Sequence, residues 1–322
     1  MTVHAHRGAN AARASRQRLA AVPARAPGAE TPMARIPFTD AHVHFHDIRE
    51  PALSYNWLAP DSPPDPILGD HSAIKTVRYW ADDWLMESRF ANVERVVHVE
   101  ATQWIDDPVE ETRWLQAFTD RVGVPHGAVV QAYLARPDLR EMLERHAQYP
   151  ILRGIRDPDR QAFLTGDWRK GYALLEEFDL VCCNHTGVER MAEARGLIEE
   201  FPGITYCVDH AAWPTRRDPE YAERWKRGIH EIARAPNAVI KISGLGMHDH
   251  HWTVESIRPW VLESVEAFGT NRCFFATNWT VDKLFSTYGD VIDAYAEIIA
   301  EFSEAEQRAM FTENAKRVFR LD

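Results

Sequence analysis

Residues 36–47 read IPFTDAHVHFHD, and their apolar first part, Ile36–Phe45, predicts a β-strand. Seven further apolar, β-branched runs follow along the chain: Val93–Ala101, Gly127–Leu134, Ile151–Arg156, Leu180–His185, Ile204–His210, Ala238–Leu245 and Cys273–Trp279. Their continuous apolar character is typical of strands that are buried on both faces of a parallel sheet. The segments between the runs have a helical pattern, so the chain alternates between strands and helices.

The segments between and after the runs carry helix start signals. Asp107 followed by Pro108 supplies a capping side chain and a proline in the first turn, and Ser303 with Glu306 forms a capping box. Eight strands that alternate with helices predict an α/β protein of the (β/α)8 TIM-barrel class. A doubly wound open sheet is the alternative, although neither a GxGxxG nor a GxxxxGK[ST] motif supports nucleotide binding.

The connection between the first two predicted strands is long and rich in proline. Residues 51–66 hold five prolines, with Tyr55 and Trp57 among them. Because a TIM barrel builds its site from the loops that follow the strands, we expect this Pro-rich loop to lie over the pocket mouth. Tyr55 and Trp57 are therefore predicted to bind substrate, and a decorative surface loop is the alternative interpretation.

The composition of the 322-residue chain is that of a globular protein with an acidic balance. It has 37 Lys and Arg residues against 48 Asp and Glu residues, a net charge of −11, which argues against an extended nucleic-acid interface. Its apolar runs are much shorter than the ~20 residues of a membrane span, so a membrane partner is not expected. The four cysteines have no CxxC spacing and are expected to be buried, reduced thiols in a cytoplasmic protein.

The first 33 residues differ in composition from the rest of the chain. They contain five arginines, many Ala and Pro residues and one acidic residue, Glu30. They have no continuous apolar segment of the kind that a secretory signal requires. We expect residues 1–33 to be a disordered extension ahead of a true start at Met33, and residues 34–322 to form a single barrel domain.

Histidines recur at the predicted carboxyl ends of the strands. His42 and His44 are two residues apart on the first strand, so both side chains point to the same face, and two imidazoles at this spacing can chelate one cation. His185 ends the fifth predicted strand, His210 the sixth, and Asn278 the eighth. Because the carboxyl ends of barrel strands carry active sites, these side chains predict one shared site.

Several motifs together carry a family resemblance over about residues 36–322. They are DAHVHFHD (40–47), VHVEA (97–101), PVEETRWLQ (108–116), RGIRD (153–157), NHTG (184–187), DHAAWP (209–214), KISGL (241–245), TNWTVDKLF (277–285) and ENAKR (313–317). With these motifs the sequence resembles the amidohydrolase superfamily in its amidohydrolase-related branch. Within that branch it is most similar to the group of sugar lactonases and dicarboxylate lactonases. The resemblance implies a TIM-barrel enzyme without specifying its substrate.

The resemblance also implies roles for individual residues. His42, His44 and His185 match positions that bind a divalent metal in metal-dependent relatives, with zinc as the expected ion. His210 matches a histidine that contacts substrate or shuttles protons. Asn278 stands where many relatives carry an aspartate, both metal ligand and general base, and an amide cannot accept a proton at neutral pH. Some lactonase-like relatives are thought to work without metal, so a metal-free mechanism is the alternative.

Four further side chains are candidate site residues. Arg156, at the end of the fourth predicted strand, is suited to bind a substrate carboxylate or carbonyl, with a structural pair to Asp157 or Asp159 as the alternative. Glu100, near the end of the second, is placed to hold a histidine or a substrate hydroxyl. His248, in the loop after the seventh predicted strand, and Trp279, at the end of the eighth run, are predicted to contact substrate, although a solvated loop and core packing are their ordinary explanations.

Together these residues predict a hydrolase that opens a small lactone with a water activated by the metal or by His210. In this hypothesis His210, Asn278, Arg156 and Glu100 are catalytic. One competing hypothesis is a lyase, a non-oxidative decarboxylase of aromatic or unsaturated acids, and another is a non-catalytic ligand-binding barrel. The expected partner is a small molecule, whose anionic character the sequence leaves open, as it does homo-oligomerisation.

Overall fold

Eight parallel strands form the inner layer of the molecule, as a computed structural model of residues 36–103 and 105–321 shows. In chain order they are β1 (Phe38–Val43), β2 (Val93–Val99), β3 (Gly127–Gln131), β4 (Leu152–Arg156), β5 (Val181–Asn184), β6 (Tyr206–Val208), β7 (Ala238–Ile242) and β8 (Cys273–Phe275). Each strand pairs with the next, and a parallel bridge between Val43 and Trp279 joins the two edges. The predicted (β/α)8 barrel is therefore confirmed, and the open doubly wound sheet was the wrong alternative.

Helices occupy the connections between the strands. They are α1 (Ala81–Ser88), α2 (Val109–Val122), α3 (Leu139–His146), α4 (Gly166–Glu177), α5 (Met191–Glu200), α6 (Pro219–Ile232), α7 (Val254–Phe268), α8 (Tyr288–Ile298), α9 (Glu304–Arg308) and α10 (Asn314–Phe319). The predicted capping box is present, because Ser303 Oγ accepts the Glu306 amide hydrogen at the start of α9. None of the helices in the described part of the chain has the length and apolarity to cross a bilayer.

The inside of the barrel holds an apolar cluster of its own. Short side chains of the strands, such as Val97 and Val239, pack there with Phe274, and Phe319 of α10 meets the Phe274 ring edge-on with centroids 5.8 Å apart. Helix α10 thus closes one end of the barrel. The four cysteines are all buried and free, as expected from the sequence.

The segment between β1 and β2 is tied to the loop after β8 through one side chain. Glu87 of α1 accepts hydrogen bonds from Tyr79 Oη at 2.8 Å and from Trp279 Nε1 at 2.6 Å, and it pairs with Lys283. Tyr79 belongs to the first connection, whereas Trp279 and Lys283 follow β8. The first and last loops of the barrel are therefore held together at the carboxyl ends of the strands. The extension predicted for residues 1–33 lies outside the described residues.

Candidate active site

A cavity of about 340 Å³ opens at the carboxyl ends of the strands. Its polar lining includes His44, Glu100, Gln131, Arg156, His185, His210 and Asn278. Aromatic and aliphatic side chains complete the wall, among them Trp57, Tyr133, Trp213 and Met247. Six of the predicted site residues thus meet Trp57 around one cavity, at the end of the barrel where TIM-barrel enzymes place their chemistry.

The two histidines of β1 are in direct contact, as their spacing predicts. His42 Nε2 and His44 Nε2 are 3.2 Å apart. His44 Nδ1 lies 3.0 Å from the carbonyl oxygen of Val99, so Nδ1 carries the proton and donates it to that oxygen. The Nε2 atom of neutral His44 is therefore an acceptor.

A buried lysine, whose role the sequence left open, fixes the protonation of His42. Lys241 Nζ lies 2.9 Å from Asp209 Oδ1 and 3.4 Å from His42 Nδ1, and none of the three side chains is exposed. An ammonium group only donates, so His42 Nδ1 is an acceptor and His42 Nε2 carries the proton. His42 then donates to His44, and a chain of hydrogen bonds runs from Lys241 through both histidines to the backbone.

Arg156 of β4 connects the remaining polar groups of the cavity. Its Nη2 atom lies 3.0 Å from Asp209 Oδ2, 2.7 Å from His185 Nε2 and 3.3 Å from His210 Nε2. Its Nη1 atom lies 3.4 Å from Glu100 Oε1. The arginine therefore pairs with Asp209 and Glu100, and both histidines offer it a lone pair. Its Nε atom is buried and lacks a hydrogen-bond partner among the described residues.

The histidines of the cavity are held neutral. Burial lowers the pKa of His42, His185 and His210 well below its ordinary value, and the positive charge of Arg156 lowers all three further. Burial likewise lowers the pKa of His44 to about 3. These rings accept or donate hydrogen bonds as neutral imidazoles.

The two acidic groups that touch Arg156 differ in pKa. Burial alone would raise the pKa of Asp209, but the charges of Lys241 and Arg156 bring it down to about 2. Burial raises the pKa of Glu100 to about 7, with Arg156 opposing the rise. Asp209 is therefore a permanent anion beneath the cavity, whereas Glu100 can exchange a proton near neutral pH.

Three of the predicted substrate-binding residues do not line this cavity. Tyr55 is 5% exposed and packs in an apolar cluster with Leu58. Trp279 is 2% exposed and points its indole N–H at Glu87. His248 lines a neighbouring surface cavity instead. Tyr55 and Trp279 are used here for packing, whereas Trp213, which also follows a strand, lines the cavity, and the sequence pattern does not distinguish the two uses.

The sequence does not single out Asp209, and it leaves the role of Lys241 open. Asp209 is the first residue of the DHAAWP motif and directly precedes His210, and Lys241 is flanked by apolar residues in β7. A second buried acid, Glu111 of α2, accepts the backbone amide hydrogens of Ala101 and Thr102 and so fixes the loop that carries Glu100. A charged residue within a buried strand was the available signal for Lys241, because such a charge requires a partner.

The predicted metal ligands are only partly brought together. Among the described residues, the groups of three potential ligands whose donor atoms lie within 4.8 Å of one another are His42–Asp209–His210, Cys183–Cys207–Asp209 and His230–Glu263–Glu266. His44 and His185 belong to none of these groups, and His185 Nε2 accepts a hydrogen bond from Arg156 instead.

The donor atoms of the cavity do not fit a divalent cation in this arrangement. A metal-binding imidazole normally donates its second N–H to an acceptor, but His42 Nδ1 faces the ammonium group of Lys241. Both oxygens of Asp209 are engaged by cations, Oδ1 by Lys241 and Oδ2 by Arg156. The positive charges of Lys241 and Arg156 thus lie next to the atoms that a metal would need as ligands.

Comparisons with known proteins agree with this architecture. The model of the amidohydrolase family matches residues 39–321. The uncharacterized protein y4mH of Sinorhizobium fredii is 34% identical over 302 residues, covering 90% of this chain and 100% of its own length. An L-fucono-1,5-lactonase of Burkholderia ambifaria is 26% identical over 224 residues, covering 66% of this chain and 77% of the lactonase.

Solved structures show the same fold. An amidohydrolase from Burkholderia multivorans with bound zinc superposes with a TM-score of 0.75 at 22% identity, covering 88% of this chain and 99% of the other. A 2,6-dihydroxybenzoate decarboxylase from Rhizobium superposes with a TM-score of 0.57 at 15% identity, covering 89% and 99%. At these identities the likeness concerns the fold, which supports more than one chemistry.

Proposed function

Because the chain belongs to the amidohydrolase family, we propose that it is a hydrolase that opens a small lactone in the cavity around Arg156. Members of this family act on small molecules. The L-fucono-1,5-lactonases that are 26% and 27% identical to this chain over 224 and 218 residues support a cyclic ester as the substrate. The decarboxylase fold neighbour is the reason to keep a lyase as an outcome of the test.

One observation carries the proposal: a guanidinium group and a carboxyl group that titrates near neutrality line the same cavity. Arg156 lines the cavity, and its guanidinium keeps one buried N–H, at Nε, without a partner among the described residues. Glu100 has its pKa near 7 and one long contact, to Arg156. Arg156 is thus suited to stabilise an oxyanion, and Glu100 to accept a proton.

The reaction then proceeds in two steps. Glu100 takes a proton from water as the water oxygen bonds to the ring carbonyl carbon, and the carbonyl oxygen becomes an oxyanion beside Arg156. The ring C–O bond breaks, and the departing alkoxide takes the proton back from Glu100. The product is an open-chain hydroxy acid.

In this mechanism His210 keeps Arg156 in place. Its Nε2 accepts from Arg156, its Nδ1 lies 2.9 Å from Ser243 Oγ, and burial lowers its pKa, so that Glu100 is the better proton acceptor. The positive charge that a metal would bring is supplied by Arg156, with Lys241 behind it, and no step depends on an ion. If zinc does belong here, purified protein should retain it during dialysis against a mild chelator.

The function is tested by supplying a panel of lactones and aryl carboxylates to the purified protein. Acid release from a lactone, lost in Glu100→Gln, is the expected result. Release of carbon dioxide from an aryl acid would replace the proposal with the lyase, and neither product would replace it with a binding protein. Metal content measured on the same samples should be well below one ion per chain, and strong chelators should leave the activity unchanged. Loss of activity on chelation, restored by zinc, would contradict the metal-free mechanism.

A further inference from the structure

A buried carboxylate lies directly behind the cavity wall at Asn278. Asn278 Nδ2 donates to Asp282 Oδ2 over 2.6 Å, and the two residues are 1% and 3% exposed. The Asp282 amide also donates to the Asn278 carbonyl oxygen, so the two side chains belong to one tight turn. We propose that Asp282 is a positioning residue that turns the amide oxygen of Asn278 toward the cavity, where it orients the attacking water.

The orientation of an asparagine side chain is decided by its partners. Its amide has a donor end and an acceptor end, whereas an ionised carboxylate only accepts. Because Asp282 takes the NH₂ end, the oxygen of Asn278 is the end left for the cavity that Asn278 lines. Asn278 also has φ +57, a backbone conformation that asparagine tolerates better than most residues.

The second oxygen of Asp282 is engaged as well. A Cβ atom added to Gly246 would lie 2.8 Å from Asp282 Oδ1, which shows how closely that backbone approaches the carboxylate. Burial raises the pKa of Asp282 to about 7, and hydrogen bonds from Asn278 and from the Gly246 amide oppose the rise. Asp282 therefore accepts on both of its oxygens, which a carboxylate can do and a carboxamide, with a single oxygen, cannot.

The inference rests on the proposed hydrolysis and gives Asn278 a defined part in it. An amide oxygen accepts one O–H of a water but does not remove its proton. Glu100, which lines the same cavity, removes the proton in the proposed mechanism. Orientation of the water and removal of its proton are thus assigned to two side chains of one cavity, Asn278 and Glu100.

The experiment compares Asp282→Asn, the exchange Asn278→Asp with Asp282→Asn, and a control, Asp290→Asn, on the exposed start of α8. In Asp282→Asn the new amide must give its oxygen to Gly246, so its NH₂ group reverses Asn278. At pH 8, where Asp282 is ionised, kcat should fall about 10²-fold, the scale of a misplaced reactant. KM and the unfolding midpoint should stay close to wild type. In the exchange variant the cavity again faces an acceptor, and kcat should rise above that of Asp282→Asn.

A wild-type kcat in Asp282→Asn, or an exchange variant no faster than Asp282→Asn, would overturn the inference. A readout that needs no turnover separates it from the proposed function. The Asn278 side chain interacts with the ring of His44. In protein labelled with ¹⁵N-histidine, reversal of Asn278 should therefore shift the ring nitrogen signals of His44 in Asp282→Asn and not in Asp290→Asn. If wild type opens no lactone, the proposed function fails, and this spectrum alone decides the orientation: unshifted His44 signals would refute it.

Discussion

The floor and the rim of the cavity are built in different ways. The floor consists of Arg156, Asp209 and Lys241, which are charged, almost fully buried and paired with one another. The rim consists of Trp57, Tyr133 and Trp213, aromatic side chains from three loops that remain partly exposed. Strands fix the floor, whereas loops set the rim, so chemistry and substrate choice are placed on parts of the fold that can change separately.

The two regions nevertheless touch through stacked rings. Trp213 of the rim packs on His185 with centroids 4.4 Å apart, and His185 accepts from Arg156 of the floor. The guanidinium of Arg160 also lies over the Trp213 ring, 4.3 Å from its centroid. A substitution of Trp213 should therefore affect His185 first, because His185 contacts both Trp213 and Arg156.

The largest effect is expected from Asp209→Asn. The substitution leaves Lys241 and Arg156 as buried cations without their shared anion, and loss of one partner of a buried pair costs about 3–5 kcal/mol. Urea unfolding should show this loss, and adding Lys241→Met should recover part of it. A change below about 1 kcal/mol would mean that the floor is not held by charge pairing.

The next effect concerns catalysis at the floor. Arg156→Lys keeps a positive charge but loses the planar fork that reaches Asp209, His185 and the substrate. We expect kcat to fall by about 10²–10³-fold, the scale of a lost oxyanion donor. The variant is compared with wild type by steady-state kinetics, after circular dichroism has shown that the barrel is intact. Activity within a factor of two would assign the oxyanion to another group.

The third effect contrasts two buried acids, Asp209 and Asp282. Asp209 lies between two cations, whereas burial raises the pKa of Asp282 from 3.8 to about 7. The folded protein therefore holds the Asp282 proton more tightly than the unfolded chain, and this group makes the free energy of unfolding fall as pH rises from about 4 to 7. Relative to wild type, Asp282→Asn should gain about 2 kcal/mol between pH 5 and pH 8. Parallel pH profiles of the two proteins would show that Asp282 is ionised throughout.

The smallest effect is expected at the rim. Trp57 donates its indole N–H to the Ala101 carbonyl oxygen and lines the cavity. Trp57→Phe should raise KM by about tenfold, the lower end of the range for a change in a hydrophobic pocket, with kcat close to wild type. Trp114→Phe, on α2 outside this cavity, is the matched control. An equal loss of kcat would show that the rim takes part in the chemistry.

The sequence predicts the barrel well because its signals are local. Each strand is one apolar run, helices separate the runs, and the capping box of Ser303 and Glu306 begins α9 after the last run. The contact between His42 and His44 follows from their spacing, and the strand-end positions of His185, His210 and Asn278 place all three around the cavity. Parallel strands bring their carboxyl ends to one face whatever the loops do.

The parts of the site that the sequence does not predict depend on contacts between residues that are distant along the chain. Lys241 meets Asp209 and His42 only after the barrel closes, and that meeting determines which atoms remain for a metal. The alternating direction of side chains along a strand also does not continue past the end of the strand. It places His98 and Glu100 on one face, but His98 lies against Glu111 of α2 while Glu100 lines the cavity. The loop after β2 changes the direction of the side chain.

The clamp at Glu87 limits how this enzyme can be recombined. Its carboxylate joins Tyr79, from the insertion after β1, to Trp279 and Lys283, which follow β8. A chimera that took only the first insertion from a relative would leave the indole N–H of Trp279 without its acceptor, next to Asn278. Residues 48–92 and 277–287 should therefore be exchanged together, although nearly two hundred positions separate them along the chain. A new specificity should be introduced by taking both segments from the same relative.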